Sequence, residues 1–217
     1  VSLDCVGAFP GNTVYLRIPT PSPGAGQSES VIFDGPSADR TGLVRHDGNL
    51  SLYRIDGLEP GGTYGVGRQV VVSTRPFRYQ VDAGSLQPYD PEHPDLAPAL
   101  VNDEWILPDS VSIVASRAIG RLQDDWSKGR AIYDYVISKL EWTDQPPTTR
   151  IPEYVTSGLA DVQGYSFFFT SLARAAQIPA RPVGGLIIDA DGRSRTWWWA
   201  EIWIEGLGWV PVDPALG

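Results

Sequence analysis

Residues 161–213 order the chain as one apolar helix followed at once by three short strands, and this order narrows the fold class sharply. The segment 162–176 places Phe167, Phe168, Leu172 and Ala176 at helical spacing, Asp161 stands where an N-cap is needed, and Pro179 stops the helix. The segments 180–189, 196–205 and 209–212 then read as strands joined by the turns Ala190-Asp191-Gly192 and Gly206-Leu207-Gly208. Strands joined by tight turns pair antiparallel, so an α+β class is expected.

Upstream, two further helices are expected. The first starts at Pro108-Asp109-Ser110 and carries Ile113, Val114, Ile119 and Leu122. The second starts near Asp124-Asp125-Trp126 and carries Ile132, Tyr133, Val136, Ile137 and Leu140, with its acidic residues at the positive end of the helix dipole. A Pro- and Thr-rich loop is expected over 143–152. The first 82 residues read as a β-rich module: apolar runs at 14–18, 31–33, 50–55 and 69–72 alternate with turn residues at 19–26, 34–36, 46–49 and 59–62. Between the two, Pro88, Pro91, Pro94 and Pro98 mark a surface connector over 83–100, which leaves 101–217 as the core.

Charge and residue chemistry remove several functions. Seventeen basic against 26 acidic residues leave a net charge of -9. The only lysines, Lys128 and Lys139, form no basic stripe, so neither nucleic acid nor an anionic membrane is an expected partner. One cysteine, Cys5, and two histidines, His46 and His93, supply no metal-ligand spacing, and neither metal nor cofactor is expected. Cys5 in a β module is expected to pack as a small apolar group. No signal-peptide h-region opens the chain, and cytoplasmic localisation is expected.

The motifs of the second half come in a specific order: Gln163-Gly164-Tyr165-Ser166, Leu172-Ala173-Arg174-Ala175-Ala176-Gln177-Ile178-Pro179-Ala180-Arg181, Gly184-Gly185, Trp199-Ala200-Glu201-Ile202-Trp203 and Gly206-Leu207-Gly208-Trp209-Val210-Pro211-Val212-Asp213-Pro214. This series resembles the core of transglutaminase-like proteins, relatives of the papain-like cysteine proteases. Trp126 to Val136 is similar to the helix that such proteins place before that core. Ile18-Pro19-Thr20-Pro21, Gln27 and Gly48-Asn49 look like the N-terminal module of bacterial members. The resemblance implies a transglutaminase-like core of helices on an antiparallel sheet.

It also implies a Cys at the start of the core helix as nucleophile, activated by a His on the Trp-Ala-Glu strand that an Asp orients. Aligned on those motifs, the cysteine position holds Val162, the histidine position holds Trp197, and the aspartate is kept as Asp213. An alkyl group cannot attack a carbonyl, and indole has no basic lone pair. No catalysis by the thiol mechanism is therefore expected. Strand alternation sends Trp197 and Trp199 to one face and Trp198 to the other, so under the family's geometry Trp197 is expected to point at Val162. Standing where the resemblance places the histidine, its indole N–H is expected to bond Asp213 as the imidazole N–H would.

Two classes of function stay open. A pseudoenzyme would bind a peptide, a small apolar ligand or a partner protein in the former cleft, lined by Val162, Gln163, Tyr165, Trp197, Trp199, Glu201 and Asp213. A repurposed enzyme would use Asp213, Glu201 or Tyr165 for acid–base or shape-directed cyclisation or isomerisation. The tryptophans are also able simply to fill a core. Solvated or capping roles are expected for Glu201 and Asp161. Ser166 lacks a base, and Arg174 and Arg181 are expected to pair with carboxylates or carbonyl groups.

Overall fold

Alternation of turn residues with β-branched and aromatic runs in the first 80 residues produces strands and no helix among the described residues. A computed structural model of the chain describes residues 2–4, 12–19, 27–36, 41–47, 50–75, 78–94 and 96–217. Cys5, the turn residues Thr20 to Gly26 and the Gly48-Asn49 pair lie outside the described residues. The chain divides into two units, 1–80 and 81–217.

In the first unit, β1 (Ser2–Asp4), β2 (Thr13–Pro19), β3 (Gln27–Pro36), β4 (Thr41–Asp47), β5 (Leu50–Asp56) and β6 (Thr63–Thr74) form two antiparallel sheets, ordered β1-β6-β3 and β2-β5-β4. Tyr53 and Ile55, alternate residues of β5, are fully buried, with Leu16, Leu58 and Tyr64 packed on them. The strand β4 includes His46 and Asp47, which read as turn residues in isolation. Pairing with β5 overrides their local preference.

In the second unit, α1 (Pro108–Ile119) and α2 (Asp125–Lys139) begin where their start signals stand, and the Asp124 carboxylate accepts the Ser127 N–H at 2.8 Å to cap α2. The face that α1 buries is Pro108, Val111 and Ala115. Ile113, expected in the core, is exposed. The proline-rich stretch 83–100 also departs from a simple surface wrap: it contains two short 3-10 turns, Ala83–Ser85 and Ala97–Ala99, and buries Leu96 and Ala99.

A short parallel pair, β7 (Glu141–Trp142) with β8 (Leu159–Ala160), brackets α3 (Ile151–Ser157). The expected loop over 143–152 thus runs two residues into a helix, because Pro152 fits a first turn whose N–H groups have no intrahelical partner. Gly158 in the left-handed region closes α3. The central helix α4 (Val162–Ala175) buries every residue from Gly164 to Arg174, so its surroundings are protein on all sides. It packs on the sheet ordered β11-β10-β9, formed by β9 (Ala180–Ile188), β10 (Ser194–Ile204) and β11 (Gly208–Val212), all antiparallel. The helices and antiparallel sheets make the α+β architecture.

Candidate functional site

The candidate residues sit on the first turn of α4, in the middle of β10 and just past β11, and of them the structure joins Trp197 to Asp213. Asp161 caps α4 by accepting the Gly164 N–H at 2.8 Å. Val162 opens the helix, half-buried. One turn later, Ser166 donates to the Trp199 carbonyl at 2.6 Å. Residues four apart share a helix face, so Val162 lies on the side of α4 turned toward β10. Ser166 serves as a helix-to-sheet tie.

Packing at the head of α4 leaves no slack. A Cβ on Gly164 would stand 2.7 Å from the Tyr154 hydroxyl oxygen. Tyr165 donates its hydroxyl to the Leu140 carbonyl at 2.7 Å, and burial, then the charge of Glu141, raises its pKa. Burial pushes the Tyr154 phenol up to about 12, with the Asp161 charge adding to the effect. The folded chain holds that proton more tightly than the unfolded chain, whose phenol titrates at its ordinary value of 10. Stability present below pH 10 is therefore lost as pH rises from 10 to 12. Denaturant midpoints measured across that range should fall less steeply for Tyr154→Phe than for the wild type, and equal slopes would remove this assignment.

On the sheet, Trp197 and Trp198 part to opposite faces. The Trp198 ring meets Phe167 of α4 edge-on at 5.3 Å between centroids. Gly184, its cross-strand partner, leaves room for it, since a Cβ there would approach the Trp198 ring to 3.2 Å. Gly185 does the same for Trp199 on the other face, where a Cβ would reach 2.6 Å. The glycine pair thus accepts one indole on each side of β9.

Trp197 is 4% exposed. Its indole stacks on Trp142 with 5.7 Å between centroids and 16° between planes, and the Arg195 guanidinium lies 4.6 Å from its ring centre. Its N–H donates to Asp213 Oδ2 at 2.8 Å, the bond expected of an indole in the histidine position. Asp213 Oδ1 accepts the Ala215 and Leu216 N–H groups at 3.1 and 3.2 Å. Both carboxylate oxygens are occupied by donors.

Neither Trp142 nor Arg195 stands out in the sequence as a site residue. The only available signal was a large aromatic directly after α2, which carries no information about its partner 55 positions on.

The remaining charged candidates are paired. Glu201 and Arg181 face each other across β10 and β9, with a 2.7 Å ion pair, and the Arg181 guanidinium lies 4.1 Å over Trp209. Arg174 is buried: its Nε donates to the Ala180 carbonyl at 2.9 Å, and its Nη1 to the Val101 carbonyl at 2.6 Å and to Asp103 at 3.1 Å. Burial lowers its pKa, and Asp103 opposes that shift. These arginines hold segments together, as their positions beside the Ile-Pro-Ala turn implied. Gln163 is half-buried in the first turn of α4. His93 stands against the Trp203 ring at 5.8 Å, far in sequence from β10's Trp197. Among the described residues there is no group of His, Cys, Asp and Glu able to hold a metal ion, and no helix long and apolar enough to cross a membrane.

Comparison with known proteins follows this architecture. Residues 114–214 match the family model of the transglutaminase-like superfamily. No curated protein matches the chain. Among solved structures it is similar to a candidate cysteine protease from Cytophaga hutchinsonii, at 16% identity and a TM-score of 0.65, over 99% of this chain and 73% of that one. It is also similar to the periplasmic domain of TgpA from Pseudomonas aeruginosa bound to ethylmercury, at 18% identity and a TM-score of 0.51, over 95% of this chain and 77% of that one. At such identities the likeness is one of fold. The chain thus has a transglutaminase-like fold, and the part that matches the superfamily, residues 114–214, runs from α1 to just past β11.

Proposed function

We propose that this chain is a pseudoenzyme of transglutaminase-like fold, in which Val162 and Trp197 occupy the nucleophile and base positions and the former cleft binds a peptide, a small apolar ligand or a partner protein. The observation that carries the reading is the 2.8 Å bond from the Trp197 N–H to Asp213. An orienting carboxylate in a Cys-His-Asp site accepts one N–H from the imidazole, whose other nitrogen then serves as the base. Here an indole supplies the N–H and has no second nitrogen. The carboxylate keeps its partner while the base is gone. Stacked on Trp197, the 45% exposed Trp142 presents apolar surface at the same place, which suits binding.

No observation favours a repurposed acid–base enzyme. Asp213 has donors on both oxygens, Glu201 is paired with Arg181, and the Tyr165 hydroxyl is committed to a carbonyl.

The test is to rebuild the missing groups. In a Cys5→Ala background, the thiol of Val162→Cys with Trp197→His should titrate at least about one unit lower than that of Val162→Cys alone, which has only the helix N-terminus to lower it, read from the pH dependence of iodoacetamide alkylation. Circular dichroism confirms that both variants are folded. Identical midpoints in the two folded variants would show that Val162 and Trp197 are not a nucleophile–base pair of positions. The unmodified chain should show no amine incorporation or peptide cleavage, and turnover abolished by Cys5→Ala would sink the pseudoenzyme reading.

A further inference from the structure

The strand β9 ends its sheet: among the described residues it pairs with β10 and with no other strand. The ladder shows which backbone groups are left facing outward. The Trp203 N–H donates to the Pro179 carbonyl at one end, and the Asp189 N–H to the Arg193 carbonyl at the other. Hydrogen-bonded pairs in an antiparallel ladder recur every second residue, so the odd-numbered residues of β9 bond β10. The even-numbered residues turn away. Ala180 agrees, since its carbonyl accepts Arg174 instead of β10. Gly184, Leu186 and Ile188 therefore direct N–H and C=O groups to the open edge.

Edges of this kind are ordinarily guarded by charge, above all lysine. Residues 182–188 carry no charge, and Leu186 and Ile188 are 66% and 70% exposed.

We infer that β9 is a self-pairing edge, through which two copies of this chain join their sheets antiparallel about Leu186. The register is determined by complementarity. With Leu186 opposite Leu186 of the second copy, Gly184 falls opposite Ile188 and Ile188 opposite Gly184, so the 70% exposed Ile188 meets a residue with no side chain, beside the Trp198 ring. All three outward residues exchange hydrogen bonds, six in total by the antiparallel rule, and Pro182, which has no N–H, stays outside that set. At each end of the uncharged ladder, Arg181 of one copy, which its own Glu201 also pairs, comes diagonally beside Asp189 of the other. A heterologous strand would need none of this two-fold match. The inference does not depend on the function proposed above.

Sedimentation velocity over a concentration series should show a reversible dimer in the wild type. Leu186→Lys, which places two ammonium groups face to face on an exposed position, should weaken it at least about tenfold without changing the circular dichroism spectrum. In the Cys5→Ala background, Leu186→Cys should form an intermolecular disulfide under mild oxidation, because paired Cα atoms stand about 5.5 Å apart. Ile188→Cys should not, since its counterpart is displaced by four residues, about 13 Å. A chain that stays monomeric at every concentration overturns the inference. So does a dimer indifferent to Leu186→Lys, or Ile188→Cys cross-linking as readily as Leu186→Cys.

Discussion

Arg174→Met is expected to lower the unfolding free energy by about 3 kcal/mol or more, a large share of a typical domain's 5–15 kcal/mol. The guanidinium is 4% exposed and ties together three places: the start of β9 through the Ala180 carbonyl, the segment before α1 through the Val101 carbonyl, and Asp103. Methionine fills much of the volume and satisfies none of these acceptors. The buried Ala180 carbonyl is then left without a donor, while Asp103, half exposed, and the carbonyl of the exposed Val101 turn to water. Arg174→Lys should recover little, because a single ammonium cannot reach acceptors that a planar fork reaches together. Urea melts of the three proteins decide the matter. Full recovery by lysine would show that charge alone is what the site requires.

Trp197→Ala should cost about 3–5 kcal/mol, the range for emptying a buried aromatic position. It removes the stack on Trp142 and the donor to Asp213 together. Trp197→Phe separates the two: it keeps most of the stacking area and removes the N–H, so a loss of about 1–3 kcal/mol is expected, assigned to the deprived carboxylate. In Trp197→Phe, further mutation of Asp213 to Asn should cost less than the same mutation in the wild type, because the pair is already broken. Additive losses in this double-mutant cycle, measured by chemical denaturation, would mean that the 2.8 Å bond contributes nothing to stability.

Much of the second unit was legible because its signals are local. Asp124 and Asp161 cap the helices they precede, and Gly206-Leu207-Gly208 turns β10 into β11. Each depends on neighbours within a few residues. What was misread depended on distant partners. His46 and Asp47 belong to a strand because β5 pairs with them, and Ile113 faces solvent because α1 turns Val111 and Ala115 inward. The stretch 83–100 buries Leu96 and Ala99 despite its prolines, since rigid segments still present side chains to a core.

The candidate site divides along the same line. That Val162 carries no thiol and Trp197 no basic nitrogen is a covalent fact, and the Trp197–Asp213 bond was expected from the resemblance that aligns Trp197 with a histidine. The stack that seats Trp197 between Trp142 and Arg195, the pairing of Glu201 with Arg181 and the open edge of β9 required the folded chain. Chemical capacity resides in single side chains and short periods, so sequence determines it. Which faces are covered, which charges are neutralised and which backbone groups are left unpaired are sums over contacts between residues far apart in the chain, and only the tertiary structure decides them.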